Sequence, residues 1–232
     1  MERSGAELFF WEHLDELRSR LIKSIVAVAA GSGLFYAVLD RCLEILIRPV
    51  GHLVFVAPYE AFVARMTLTL IGGFILALPV VLYQVWQFVG SGLTENERQH
   101  IRVYGPLSFI CFLSGVAFAY FIMIPLSMNF FLGFSSPLMQ PMITVEKYIS
   151  FVGMMVFVFG IVFELPLVLV FLAKIGIATP EFLRQKRRYA IVAILIISAI
   201  LTPPDVASQM LMAVPLIILY ELGILCVSLT TK

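Results

Sequence analysis

Glu164 stands in the run FGIVFELPLVLVF, where every neighbour is apolar or proline. An ionised carboxylate among such neighbours is costly, so it must be protonated, paired or facing water, and it is a functional candidate by default. A protonated acid bonded to a neighbouring helix is the structural alternative. A second set of acids lies near the N-terminus in WEHLDELRSRL, where Glu12, Asp15 and Glu16 fall at i, i+3 and i+4 and share a helix face, while Leu14, Leu17 and Leu21 share another. Further along, LTENERQHI adds Glu95 and Glu97. Carboxylates on two separate elements suit a cationic ligand. Purely structural roles compete: Glu16 can pair with Arg20 one turn on, and Thr94 with Glu97 has the spacing of a capping box.

Other reactive residue types form no constellation. His13, His52 and His100 are dispersed over three segments, and Cys42, Cys111 and Cys226 lie far apart. Neither a shared metal site nor a paired disulfide is expected from that spacing. No HExxH, GxSxG, P-loop or GxGxxG pattern occurs, so the sequence does not read as an enzyme and implies no cofactor. The basic RQKRRY, Arg184 to Tyr189, hugs the start of an apolar run. It fits a topology determinant in contact with anionic lipid, and no nucleic acid is expected.

The elements that must position these residues are membrane helices. Of the 232 residues, 61% are hydrophobic and 13% charged, with a mean hydropathy of +1.00. Soluble domains carry about 25% charged residues, and so apolar a chain would leave a greasy surface in water. The predicted class is an all-α integral membrane protein, with residues 1–232 forming one transmembrane domain. Six apolar segments are expected: about 21–39, 62–89, 103–132, 148–172, 189–201 and 206–229. The bilayer core asks for about 20 helical residues. The fifth segment is short and stops at TPPD, and the sixth is interrupted by Pro215 and carries Glu221, so fifth and sixth are expected to form a short hairpin. With an even count both termini share a side. That side then holds 12 of the 16 Lys and Arg residues, which makes it cytoplasmic. The N-terminus shows no cleavable signal peptide.

Pro79, Pro106, Pro125, Pro166 and Pro215 fall inside five of the six segments and predict bent helices around a concave scaffold. Between the first two segments, Leu43, Leu46 and Ile47 oppose Asp40, Glu44 and Arg48, which predicts an amphipathic surface helix ended at Pro49. This loop and FLGFSSPLMQPMITVEKY form either a cap or plain connectors.

The motifs HLDELRSRL, PVVLYQVWQF, LTENER, GVAFAYF, YISF, FGIVFELP, IATPEFLRQKRRY and LTPPDVASQ occur in this order. Together they resemble the TatC family, the six-span receptor of the twin-arginine protein translocase, over nearly the whole chain. The resemblance implies a multi-pass protein of the cytoplasmic (inner) membrane, without catalytic chemistry. It implies binding of signal peptides with paired arginines at the cytoplasmic face, recruitment of TatA and TatB subunits into an oligomeric complex, and export of folded proteins driven by the proton-motive force. By motif, the peptide site falls on Glu16, Arg18, Glu97 and the loop aromatic Phe88. The buried glutamate falls on Glu164. Pro49, Asp205 and Gln209 take partner-subunit or structural roles. The sequence departs from the family in a first outer loop that looks short, Pro49 to Pro58, with Ala57 where serine is common, and in a minimal tail after Leu229. These departures put a cap-dependent partner contact in doubt and leave the cytoplasmic site untouched. A proton-coupled secondary transporter with Glu164 in its relay is the alternative, although the two halves show no internal repeat.

Overall fold

The computed structural model describes residues 5–48, 50–93, 95–136, 140–201 and 206–230. The order is α1 (Gly5–Tyr36), α2 (Leu39–Ile47), α3 (Glu60–Ser91), α4 (Glu95–Phe118), a π-helical turn (Ala119–Met123), α5 (Ile124–Leu132), α6 (Val145–Val162), α7 (Leu165–Lys174), α8 (Pro180–Gln185), α9 (Arg187–Leu201) and α10 (Val206–Thr230). Among the described residues, four stretches are long and apolar enough to cross a bilayer: Glu60–Ser91, Val103–Leu132, Val145–Lys174 and Val206–Thr230. A fifth passes if α1 from His13 is joined to α2 across their 76° bend.

Each apolar segment of the sequence coincides with helix. The fifth is short as expected: the 15 residues of α9 reach about 22 Å at about 1.5 Å per residue. The sixth is not short. α10 runs for 25 residues, about 37 Å, because an interior proline forfeits one backbone hydrogen bond without ending the helix. Pro79 and Pro106 likewise lie inside continuous helices. Pro125 follows the π-helical turn, a common way to relieve a displaced backbone bond. Pro166 separates α6 from α7. Its ring would clash with the carbonyl of Val162, the last residue of α6, and the helix restarts at Leu165.

α2 is amphipathic in the expected register. Leu39 and Leu46 are buried, while Asp40, Glu44 and Arg48 are exposed. The two loops meet at an isolated parallel bridge between Val54 and Thr144, with Val54 N–H donating to Ile143 O at 3.1 Å and Val145 N–H to Val54 O at 2.9 Å.

Burial runs inside-out relative to a soluble protein. On α1, Leu21, Ile22, Ile25 and Val26 are 50% to 62% exposed, whereas Gly31 and Ser32 are buried. Apolar side chains facing outward with small ones facing inward is the pattern of helices packed in lipid.

The chain divides into two compact units, Met1–Leu46 with Arg65–Phe109 and Ile47–Ala64 with Ile110–Lys232. In the first, α1 and α3 touch backbone to backbone. A Cβ on Gly31 would stand 2.5 Å from Gly73 O, and one on Gly72 would overlap the Phe35 ring. In the second, a Cβ on Gly115 would overlap Phe159 O, so α4 lies directly on α6. There, Gly223 of α10 faces Pro166 and Leu169 of α7.

Candidate functional site

One polar cluster in the first unit forms where the N-terminal part of α1 meets the C-terminal part of α3. His13, Glu16 and Arg20 recur at i, i+3 and i+7 on α1, and all three are half-buried between exposed neighbours. Gln84, Phe88 and Ser91 recur at i, i+4 and i+7 on α3. The two faces interlock. The His13 ring stacks on Phe88 with centroids 4.6 Å apart and 28° between planes. Arg20 donates to Glu16 Oε1 through Nε at 2.8 Å and again through Nη2, and its Nη1 donates to Gln84 Oε1 at 3.3 Å. Arg20 and Glu16 retain 20% and 29% side-chain exposure, so the pair is partly desolvated but reachable. The Arg20 guanidinium, and after it the Ser91 hydroxyl, hold the Glu16 carboxyl below the usual carboxylate range. Glu16 is therefore an ionised acceptor at neutral pH.

On a neighbouring face of α3 an apolar cleft of about 460 Å³ opens toward α4, lined by Pro79, Leu82, Tyr83, Trp86, Pro106 and Phe109. Trp86 is fixed there by donating its indole N–H to Ser108 Oγ at 2.8 Å and by stacking on Tyr104.

The other expected site residues are placed as follows. Arg18 is exposed, as is Asp15. Phe88 lies in the last turn of α3 rather than in the loop beyond it. Glu97 belongs to the first turn of α4, but its side chain, like that of Glu12, lies outside the described residues, as do Thr94, Pro49 and Asp205. Gln209 of α10 donates through Nε2 to Leu195 O of α9 at 3.0 Å, tying the last two helices together. Glu164 occupies the N-cap of α7 at the Pro166 break, with its Oε1 shut off from solvent. The positive end of the α7 dipole favours an acid there, although the side chain makes no capping hydrogen bond. Phe118 packs close by, its ring centroid 5.2 Å from that of Phe163. Glu16 and Glu164 thus belong to different units.

The family model described as Sec-independent protein translocase protein (TatC) matches residues 12–215. The chain belongs to the TatC family. A TatC protein of Carboxydothermus hydrogenoformans is 44% identical over 229 residues, covering 97% of this chain and 93% of its own. One of Desulforapulum autotrophicum is 41% identical over 232 residues, covering 97% of this chain and 86% of its own. A crystal structure of a twin-arginine translocase receptor, TatC, matches with a TM-score of 0.86 at 42% identity, covering 95% of this chain and all of that one. The family is one of membrane-embedded protein translocase components of the Tat pathway, and the helical architecture here is that of the solved TatC structure.

Within this TatC chain, sequence reasoning undervalued Gln84, Ser91 and His13. The signal was present in their spacing. Gln84, Phe88 and Ser91 form one polar-aromatic stripe on the C-terminal part of α3, and His13, Glu16 and Arg20 form its counterpart on α1. Glu12, Asp15 and Glu16 form a triplet of like charge in the sequence. It is the i, i+3, i+7 stripe through Glu16 that faces the neighbouring helix.

Proposed function

We propose that this TatC chain is a receptor subunit of a twin-arginine translocase of the cytoplasmic membrane. It spans the bilayer six times around a concave face, with both termini cytoplasmic. Signal peptides bind at the cytoplasmic ends of α1, α3 and α4, where Glu16 and Glu97 each take one arginine. The carrying observation is the half-buried, ionised Glu16 already holding a guanidinium beside Phe88. A carboxylate built to accept one guanidinium is chemically suited to accept another. Exposed ion pairs contribute about 0 to 1 kcal/mol each, so affinity must also draw on apolar contact. The cleft beside Trp86 offers such surface to the hydrophobic stretch of the peptide. Arg18, exposed next to Glu16, sets the local field that an incoming peptide meets. Copies of the chain assemble with TatA and TatB subunits near the α9–α10 hairpin, where Asp205 and Gln209 shape the contact, Pro49 takes a partner-subunit or structural role after the first span, and the proton-motive force drives passage of folded cargo.

The deciding experiment is site-specific crosslinking from position 97 to a twin-arginine signal peptide, with a twin-lysine peptide as control, beside an export assay of Glu16→Ala and Glu97→Ala. Crosslinking to the arginine peptide, with both variants inserted but export-deficient, is the expected outcome. Normal export by both single variants would show the recognition assignment to be wrong.

A further inference from the structure

We propose that Arg20 is an autoinhibitory contact: a resident guanidinium that occupies Glu16 until a twin-arginine peptide displaces it. The inference rests on the receptor reading of Glu16 and adds to it what fills the carboxylate beforehand.

The geometry carries it. Arg20 sends two N–H groups, Nε and Nη2, to the same oxygen of Glu16. It is therefore bound as an arginine and not as a mere positive charge, since an ammonium offers no second donor in fixed geometry. Arg20 is also held from α3 by Gln84, whose Oε1 accepts from Nη1 at 3.3 Å. Gln84 gives the displaced guanidinium a polar partner that does not depend on Glu16. Ser24 Oγ donates to Arg20 O at 3.0 Å, so the backbone at this turn is engaged separately from the side chain. With Arg20 in place, a ligand must displace a two-donor guanidinium from the same oxygen. That cost is the same for every ligand, so the contact masks Glu16 and lowers the affinity for all cations alike, and only a ligand with further contacts overcomes it.

The test uses the full-length protein in lipid nanodiscs and a fluorescent signal peptide in twin-arginine and twin-lysine forms. Arg20→Gln keeps a side chain that can meet Gln84 and removes the competitor. It should bind the twin-arginine peptide more tightly, by roughly fivefold, the factor that loss of an exposed pair allows. The twin-lysine peptide should gain by the same factor, so the arginine-to-lysine preference stays as in wild type. Arg20→Lys keeps the charge with one point of contact and should fall between wild type and Arg20→Gln in affinity. Weaker or unchanged binding of the twin-arginine peptide by Arg20→Gln would overturn the proposal and make Arg20 a positioning or surface residue. Glu16→Gln separates the two levels. If it binds the twin-arginine peptide like wild type, the receptor reading of Glu16 fails, whatever Arg20 does.

Discussion

The indole Nε1 of Trp86 donates to the hydroxyl of Ser108 at 2.8 Å, and both side chains are buried. This bond joins α3 to α4 two residues before Phe88, so it holds the wall on which the Glu16 cluster leans. Hydrogen bonds between membrane helices average about 0.6 kcal/mol, and loss of a buried partner reaches about 1–3 kcal/mol. Ser108→Ala should therefore lower stability by about 1 kcal/mol, seen as a lower thermal unfolding midpoint in detergent. Trp86→Phe should cost more, because the stack on Tyr104 is altered too. The double variant should lose less than the sum of the single losses. An unfolding midpoint for Ser108→Ala equal to wild type would remove the bond from any account of stability.

The glycine seam between α1 and α3 makes a sharper prediction. A Cβ on Gly73 would overlap Ser32 Oγ and lie 2.5 Å from the Ser32 backbone, and one on Gly31 would press on Gly73 O. Backbone cannot swing aside as a side-chain tip can, so the helices must separate. Gly73→Ala and Gly31→Ala should each destabilise by about 1–3 kcal/mol, as overpacking does. Both should also weaken peptide binding, because His13 and Phe88 are set by the same helix pair. Gly33→Ala is the control: nothing lies within 4 Å of a Cβ there. It should leave stability and binding unchanged. Loss of binding in Gly33→Ala would mean that the seam is not what transmits the effect.

Much of this could be seen in the residues alone, and the limits are physical. Hydropathy placed the helices, because a bilayer demands long apolar runs whatever their partners. It misjudged α10, since a proline reads the same in sequence whether it ends a helix or sits within one. The Glu16–Arg20 pair was visible as an i, i+4 spacing. Gln84 was not, because nothing in the spacing of one helix says which neighbour it meets. The close approach of Gly31 to Gly73 is hidden for the same reason: small residues become contacts only once two helices are in register. For Glu164, burial and the proline two residues on were both legible, and the break at Phe163–Glu164 follows from the proline.

The pH response of Glu16 has a definite sign. Its carboxyl sits below the usual range, first because of Arg20 and then Ser91. A depressed carboxylate contributes stability that is present above its unfolded pKa and is lost as pH falls through the folded one. Peptide binding needs the same ionised form. Binding at constant salt should thus be flat from about pH 8 down to about pH 5.5 and fall only below the ordinary carboxylate range. Arg20→Gln removes the largest cause of the depression, so its loss of binding should begin at higher pH than in wild type. Equal midpoints on acid titration of binding would show that Arg20 does not set the ionisation of Glu16.

Glu164 should tolerate glutamine better than alanine. It is buried at the N-cap position of α7 beside a proline break, and its side chain makes no capping hydrogen bond. An amide nearly matches the carboxyl in size and polarity, whereas a methyl group does not. Gly223 lets α10 approach Pro166 and Leu169 closely, so a truncated side chain at the cap leaves a gap that the neighbouring helices are not free to fill. Glu164→Gln should therefore retain most export activity and unfold near the wild-type temperature, while Glu164→Ala should lose both. If a proton relay were the role of this residue, glutamine would be as damaging as alanine for export while preserving stability. Measuring unfolding and export on the same pair of variants separates an acid held for packing from one that carries protons.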